Sequence, residues 1–221
     1  MFKLAPEGYP YIVFFTVITI GAFWVGGIWI AFLPFILTVF MLFFFRDPER
    51  IIPEQENIFV SPADGEVILI QKVYKGLIPP LLRGGEEGSS GGEGGFIEVS
   101  IFMSPFNVHV NRAPCTGVVE SVVHTPGRFI SAFKSEASLQ NESLAMLLDT
   151  KHGKVLVCQV AGFLARRAVC RVKKGDTLRQ GERYGIIKFS SRLDVYLPKN
   201  VNIMVKLGDK VKAGESIIGL I

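Results

Sequence analysis

The sequence predicts a mostly β, α+β protein, in which a β domain follows an N-terminal helical hairpin. Three observations carry this prediction. Most of the chain after residue 45 alternates apolar and polar residues with a period of two. Gly, Pro and Asp-Gly signals cut that alternation into short runs. Before it, from Tyr11 to Phe45, 35 residues pass without a single charge.

That uncharged run, "YIVFFTVITIGAFWVGGIWIAFLPFILTVFMLFFF", exceeds the ~18 apolar residues that mark a membrane-embedded segment. It is long for one span and short for two full spans with a turn. Gly26-Gly27 divides it into Tyr11–Val25 and Ile28–Phe45, so residues 1–45 are expected to form a tight hairpin that crosses or dips into the bilayer. Pro34 should kink its second arm; a single tilted span is the rival arrangement. A cleaved secretory signal has an apolar core of only ~7–15 residues and a small-residue cleavage site, whereas this run ends in "FFFRDPER". Lys3 precedes it and Arg46 and Arg50 follow it. A hairpin puts both ends on one side, and the positive charges mark that side as cytoplasmic.

Residues 46–221 form the second expected domain. "NIFVSPADGEVILIQKV", "GGFIEVSIFMS", "FNVHVNRAP", "GVVESVVHT", "KVLVCQVAGF", "RAVCRV" and "YGIIKF" read as short strands, and "IIKFSSRLDVYLP" has a strand's alternation over 186–198. The segment "GRFISAFKSEASLQNESLAMLLDT" is mixed, with a short helix expected after Ser138. Residues 83–95, "RGGEEGSSGGEGG", have too little to bury and read as a flexible loop. Near the end, "VKKGDTLRQGE" (172–182) is repeated as "VKLGDKVKAGE" (205–215). Such strand–Gly-Asp turn–strand–Gly-Glu turn units resemble barrel-sandwich-hybrid folds, including lipoyl and biotinyl carrier domains. The modifiable lysine tip of those carriers is missing, so the repeat is expected to be scaffold.

Composition narrows the function. Lys3 and Glu7 cancel, so the net charge of +4 belongs to the second domain. It includes no basic run interleaved with aromatics, which argues against nucleic acid; beside a membrane, a mild positive excess suits anionic headgroups. Cys115, Cys158 and Cys170 are odd in number and lack C-x-x-C spacing, so they are expected to be reduced structural thiols. No metal is expected.

The candidates for chemistry are a serine, a histidine and a carboxylate. Ser190 and Ser191 sit inside the 186–198 alternation, Ser191 on its apolar side. The histidines are His109 in "NVHVN", His124 in "SVVHT" and His152 in "TKHGK". Asp64 lies in "SPADGEV", where Asp-Gly is also a turn signal. Each has a structural explanation by itself.

Together they resemble something specific. In chain order, "FRDPER", "SPADGEV", "IFMSPFNVHVNRAP", "PGRFISAFKSEASLQNE", "QVAGFLARRAVC" and "GDTLRQGERYGIIKFSSRLDVYLP" resemble the phosphatidylserine decarboxylase proenzyme family in its short bacterial and archaeal form. The resemblance runs from about residue 10 to 221, the Gly-rich loop excepted. It implies a pyruvoyl group made from an internal serine, with no pyridoxal cofactor. Ser191 matches that serine, and Ser190 stands where the family usually has Gly. Self-cleavage between them would give a β chain 1–190 and an α chain 191–221, residue 191 being the pyruvoyl group. Ser191 Oγ must attack the carbonyl of residue 190; the family pattern assigns the proton to His109, oriented by Asp64, with His124 as the next base to test. Phe106 occupies the position of a further histidine in long forms. The pyruvoyl ketone would condense with the substrate amine and act as the electron sink for decarboxylation. Arg166, Arg167, Arg112 and Lys134 are candidates for the headgroup phosphate or carboxylate. The implied partners are phosphatidylserine or archaetidylserine, the cell membrane, and the α and β chains for each other, with a homodimer left open. Two other readings stand beside it: a non-catalytic membrane-anchored lipoyl-like interaction module, and a proenzyme stalled by Ser190.

Overall fold

The computed structural model describes residues 3–73, 95–127, 141–162, 168–189 and 191–221, in two compact units, Met1–Glu49 and Arg50–Ile221. The loop expected at 83–95 lies outside the described residues except for its last position.

In the first unit a short 3-10 turn, Pro6–Gly8, leads into helix α1, Tyr9–Phe44. The helix is broken once: Gly26 (φ −142°, ψ 18°) and Gly27 (φ 67°, ψ −159°) leave helical geometry. The left-handed φ of Gly27 strains any residue with a Cβ. At this break the chain folds back. Thr19 Oγ1 and Thr38 Oγ1, on opposite arms, lie 3.3 Å apart. At the base, Leu4 bridges Arg46, and the Ala5 and Asp47 N–H groups donate to the Phe45 and Lys3 carbonyls, each at 2.8 Å. The Thr19 and Thr38 hydroxyls also donate to carbonyls four residues back, which spares them in an apolar surround. The segment Pro6–Phe44 has a mean hydropathy of 2.4 and is long enough to cross a membrane. Its side chains are mostly exposed, with Trp24 and Trp29 at the bend 83% and 89% so; a soluble protein would bury such a helix. At 1.5 Å per residue each arm is about 25 Å long, somewhat under the ~30 Å hydrocarbon core.

The described residues of the second unit form fourteen strands: β1 (Ile58–Val60), β2 (Gly65–Val73), β3 (Phe96–Met103), β4 (Val110–Arg112), β5 (Gly117–Thr125), β6 (Ser143–Thr150), β7 (Gly153–Ala161), β8 (Ala168–Cys170), β9 (Thr177–Leu178), β10 (Arg183–Ile187), β11 (Ser191–Pro198), β12 (Asn202–Ile203), β13 (Lys210–Val211) and β14 (Ile217–Leu220). Eight form one sheet in the order β13-β2-β3-β11-β7-β6-β5-β9; β4-β10-β8 and β1-β14-β12 form two three-stranded sheets. Every pairing is antiparallel. The molecule is therefore mostly β with an apolar helical N-terminus, as the sequence predicts.

The large sheet reads nearly the same from both ends. β13-β2-β3-β11 on one side mirrors β9-β5-β6-β7 on the other, and the sequence repeat supplies the two edges. Gly175 N–H donates to the Val119 carbonyl and Gly208 N–H to the Val67 carbonyl, both at 2.8 Å. Asp176 and Asp209 carboxylates cap the two turns by accepting the Lys173 and Lys206 N–H groups. β2 and β5 even share an irregularity, at Val67/Leu69 and Val119/Ser121.

Two sequence expectations fail here. Residues 143–150 form strand β6, not helix. "SLAMLLDT" is buried from Leu144 to Leu148 on both sides, so the apolar run does not alternate and its period cannot announce a strand. Residues 186–198 are not one strand. β10 ends at Ile187 in the small sheet, and β11 begins at Ser191 in the large one. Between them Phe189 takes φ 61°, a left-handed conformation that an aromatic residue adopts only under tertiary constraint.

A site at the head of the central strand

Ser191 opens β11, the strand held between β3 and β7, and pairs with Met103 on one side and Ala161 on the other. It is fully buried, and its hydroxyl donates to Met103 Sδ at 3.6 Å. Its side chain shares the inner face with Leu193, Val195 and Leu197, all members of the main core. Ser190 lies outside the described residues, as do Arg166, Arg167 and Lys134.

The end of β3 gathers the remaining groups. His109 comes just before β4 and is fully buried. Its carbonyl accepts the Ile187 N–H at 3.3 Å, tying it to the end of β10. Its ring nitrogen Nδ1 is 3.0 Å from the Asn107 carbonyl. A carbonyl only accepts, so in this bond Nδ1 carries the proton, and the neutral ring then has its lone pair on Nε2. That is the tautomer a general base needs. Two residues on, Asn111 reaches the same Met103 sulfur at 3.8 Å. Gln159, from β7, fixes it by donating Nε2 to Asn111 Oδ1 at 2.8 Å.

Asp64 stands one residue before β2, whose Glu66 pairs with Phe102 near that end of β3. Its Oδ1 accepts the Ala213 N–H at 2.8 Å. Arg50 Nη2 donates to both carboxylate oxygens, at 3.0 and 2.7 Å, and both side chains are nearly buried. Sequence reasoning used Arg50 only as a membrane-side charge; here it is the partner of a buried carboxylate. Thr116, across the pseudo-symmetry, does half of Asp64's work: its hydroxyl accepts the Gln180 N–H, the repeat equivalent of Ala213, at 3.1 Å. Arg112 is buried, and its Nη1 donates to the Gly181 carbonyl at 2.9 Å, in one of the repeat turns. His124 sits on the exposed end of β5 beside Glu142, at 3.1 Å.

The opposite face of β11 holds a charge cluster that the sequence did not signal. Arg192 Nε donates to Asp194 at 2.5 Å, and its Nη2 to Glu98 at 3.2 Å and Ser100 at 2.8 Å; Gln71 donates to the other Glu98 oxygen at 2.7 Å. Arg192, Asp194 and Glu98 are all buried. Burial and the neighbouring Asp194 raise the Glu98 carboxyl above the usual carboxylate range, against the hydrogen bonds and Arg192. Burial likewise pushes the Cys115 thiol up to about 12 and the Cys158 thiol well above its ordinary value. All three cysteines are unbridged, inert thiols in keeping with the sequence reading. Among the described residues no cluster of His, Cys, Asp and Glu is set to hold a metal.

A cleft of about 910 Å³ runs along residues 52–58, 115–118 and 149–152. Ser191, His109 and Asp64 are not among its lining residues. Ser191 is buried instead at the end of β3, held in register by Met103 on one side and Ala161 on the other.

Comparison with known proteins agrees with that architecture. The family model for phosphatidylserine decarboxylase matches residues 37–219. Phosphatidylserine decarboxylase proenzymes from Syntrophus aciditrophicus (strain SB) and Citrifermentans bemidjiense are each 46% identical to the chain. The alignments cover 98% and 99% of this chain and 96% of each relative. One from Geobacter sp. (strain M21) is 45% identical over 99% of this chain. The chain belongs to the phosphatidylserine decarboxylase family.

Proposed function

We propose that this protein is a self-processing, pyruvoyl-dependent decarboxylase that converts phosphatidylserine to phosphatidylethanolamine and CO2 at the membrane. The observation that carries the reading is the buried Ser191 at the head of β11, approached through the left-handed Phe189. Ser191 Oγ attacks the carbonyl of residue 190, and His109 Nε2 takes the hydroxyl proton. His109 Nδ1 is held by the Asn107 carbonyl, and Asp64, paired with Arg50, is proposed to support His109. When formed, the pyruvoyl ketone supplies the electron sink for loss of CO2 from the serine headgroup. β3 and β7 hold residue 191 in place and exclude water from it. Arg166, Arg167, Lys134 and Arg112 are proposed to meet the phosphate and carboxylate of the substrate. Archaetidylserine offers the same headgroup. The apolar hairpin brings the enzyme to its lipid, with Lys3, Arg46 and Arg50 on the cytoplasmic side.

Intact-mass measurement of the full-length protein in detergent tests this. Two chains are expected, one ending at residue 190 and one of residues 192–221 with a pyruvoyl cap. Ser191→Ala should leave a single uncleaved chain without decarboxylase activity. Ser190→Gly should process at least as fast as the natural sequence, since Gly relieves the scissile backbone. A small chain beginning at residue 191 with an ordinary amine would exclude pyruvoyl chemistry.

A further inference from the structure

We infer that Asn111 is the hydrogen-bond donor that receives the negative charge developing on Ser191 Oγ during self-cleavage, with Gln159 setting the direction of its amide. The inference rests on the reading of Ser191 as the self-cleaving residue.

Asn111 stands two residues after His109, in β4. It is fully buried. Its Oδ1 accepts from Gln159 Nε2 at 2.8 Å, which leaves its Nδ2 free to donate elsewhere. The Nδ2 end points to Met103 Sδ, at 3.8 Å. The Ser191 hydroxyl meets that same sulfur at 3.6 Å. A thioether is a weak acceptor and no donor. It tolerates a neutral hydroxyl and offers an oxyanion nothing. Gln159 lies on β7 directly across from Leu193 of β11, so a strand that grips the serine's strand also grips Asn111.

The demand for a donor arises at a definite step. First the Oγ–H adds to the carbonyl carbon of residue 190, the proton passing to His109. The C–N bond breaks as that proton moves to the nitrogen, leaving an ester. A base, His109 again, then removes the Cα proton of residue 191. The Cβ–Oγ bond breaks with its electron pair staying on Oγ, and residue 190 departs as a carboxylate. Residue 191 is left as dehydroalanine, which water converts to the ketone with release of ammonia. In the attack the Oγ charge passes at once into the new C–O bond, whereas in the elimination Oγ leaves with the electron pair and keeps it. Among the described residues, Asn111 is the amide donor directed at the sulfur that Oγ contacts.

The test compares Asn111→Ala with Asn111→Ser in the full-length protein, following self-cleavage by mass with and without hydroxylamine. Hydroxylamine cuts an ester and spares an amide, releasing residues 191–221 with a free serine amine. The alanine variant should persist as a hydroxylamine-sensitive full-length species and form the pyruvoyl-capped peptide about a hundredfold more slowly. The serine variant, nearly equal in volume, keeps a donor and should recover most of the rate. Equal rates in the two variants would overturn the assignment, because a packing role moves both alike. A hydroxylamine-resistant alanine variant would also overturn it, since the block would precede the ester. Gln159→Glu gives an independent check: a carboxylate cannot donate to Asn111 Oδ1, so the ester should again accumulate, and cleavage at the wild-type rate would count against the proposal. A wild-type chain that never yields the capped peptide would instead remove the self-cleavage reading beneath it.

Discussion

Asp64 and Thr116 do the same structural task in two halves of one domain, yet only Asp64 carries a second oxygen, and Arg50 takes it. The carboxylate therefore exceeds what the turn requires. Asp64→Thr should keep the Ala213 hydrogen bond and lose the Arg50 pair. Arg50 keeps Glu215, 3.6 Å from its Nη1, so the lost charge-assisted hydrogen bonds should cost about 2 kcal/mol, visible as a lower melting temperature. If the carboxylate also orients His109, the variant folds and stays uncleaved on a denaturing gel; normal two-chain processing would confine Asp64 to scaffold. On the other face of β11, Glu98 binds its proton more tightly in the folded chain than its ordinary value of 4.5 implies. The unfolded chain therefore loses that proton first as pH rises. Stability contributed by protonated Glu98 is complete below 4.5 and is lost as pH climbs through the raised folded value. Glu98→Gln should flatten that decline in melting temperature as pH rises above 4.5; a profile unchanged from wild type would count against it. Ser191, His109 and Asp64 stand out in the sequence because each sits in a recognisable local motif. Arg50, Asn111, Gln159 and Glu98 do not, because each gains its meaning from a partner distant in sequence.

The elements differ in how openly they announce themselves. β2, β3 and β5 alternate, and the two-glycine break in α1 was visible as Gly26-Gly27. β6 was hidden because both its faces are buried, which erases the period. The junction of β10 and β11 was hidden for a different reason. The alternation runs on through Phe189 without a Gly or Pro, and the left-handed turn there is imposed by the two sheets it joins. The helical hairpin invites a direct measurement. The full-length protein should stay with membranes after a carbonate wash, and brominated lipids should quench Trp24 and Trp29, which are exposed at the bend. Removing residues 1–45 should free the remainder from detergent. Release of the full-length chain into the soluble fraction would contradict the anchoring role.

For the domain as a whole, the mirrored sheet makes a quantitative statement. Gly175 (φ 92°) and Gly208 (φ 87°) occupy equivalent turns with open space where a Cβ would project. Alanine at either should cost about 1 kcal/mol from backbone strain alone. The two costs should match and add in the double variant, as denaturant titration of the uncleaved Ser191→Ala protein would show; a clear inequality would mean the halves are alike in outline only. The position of β11 carries a different consequence. Scission before Ser191, as proposed, would leave the strand lodged between β3 and β7 but sever the short tether from β10. In the precursor, that tether holds the strand near its slot at an effective concentration of about millimolar. Once cut, a 30-residue peptide must find the same slot by diffusion at whatever concentration the solution provides. The uncleaved variant should recover its fold after denaturant is diluted away, and the cleaved protein at micromolar concentration should not. A molecule so cut would keep a shape whose assembly instructions it had destroyed: it could be made once and worn out, but not remade.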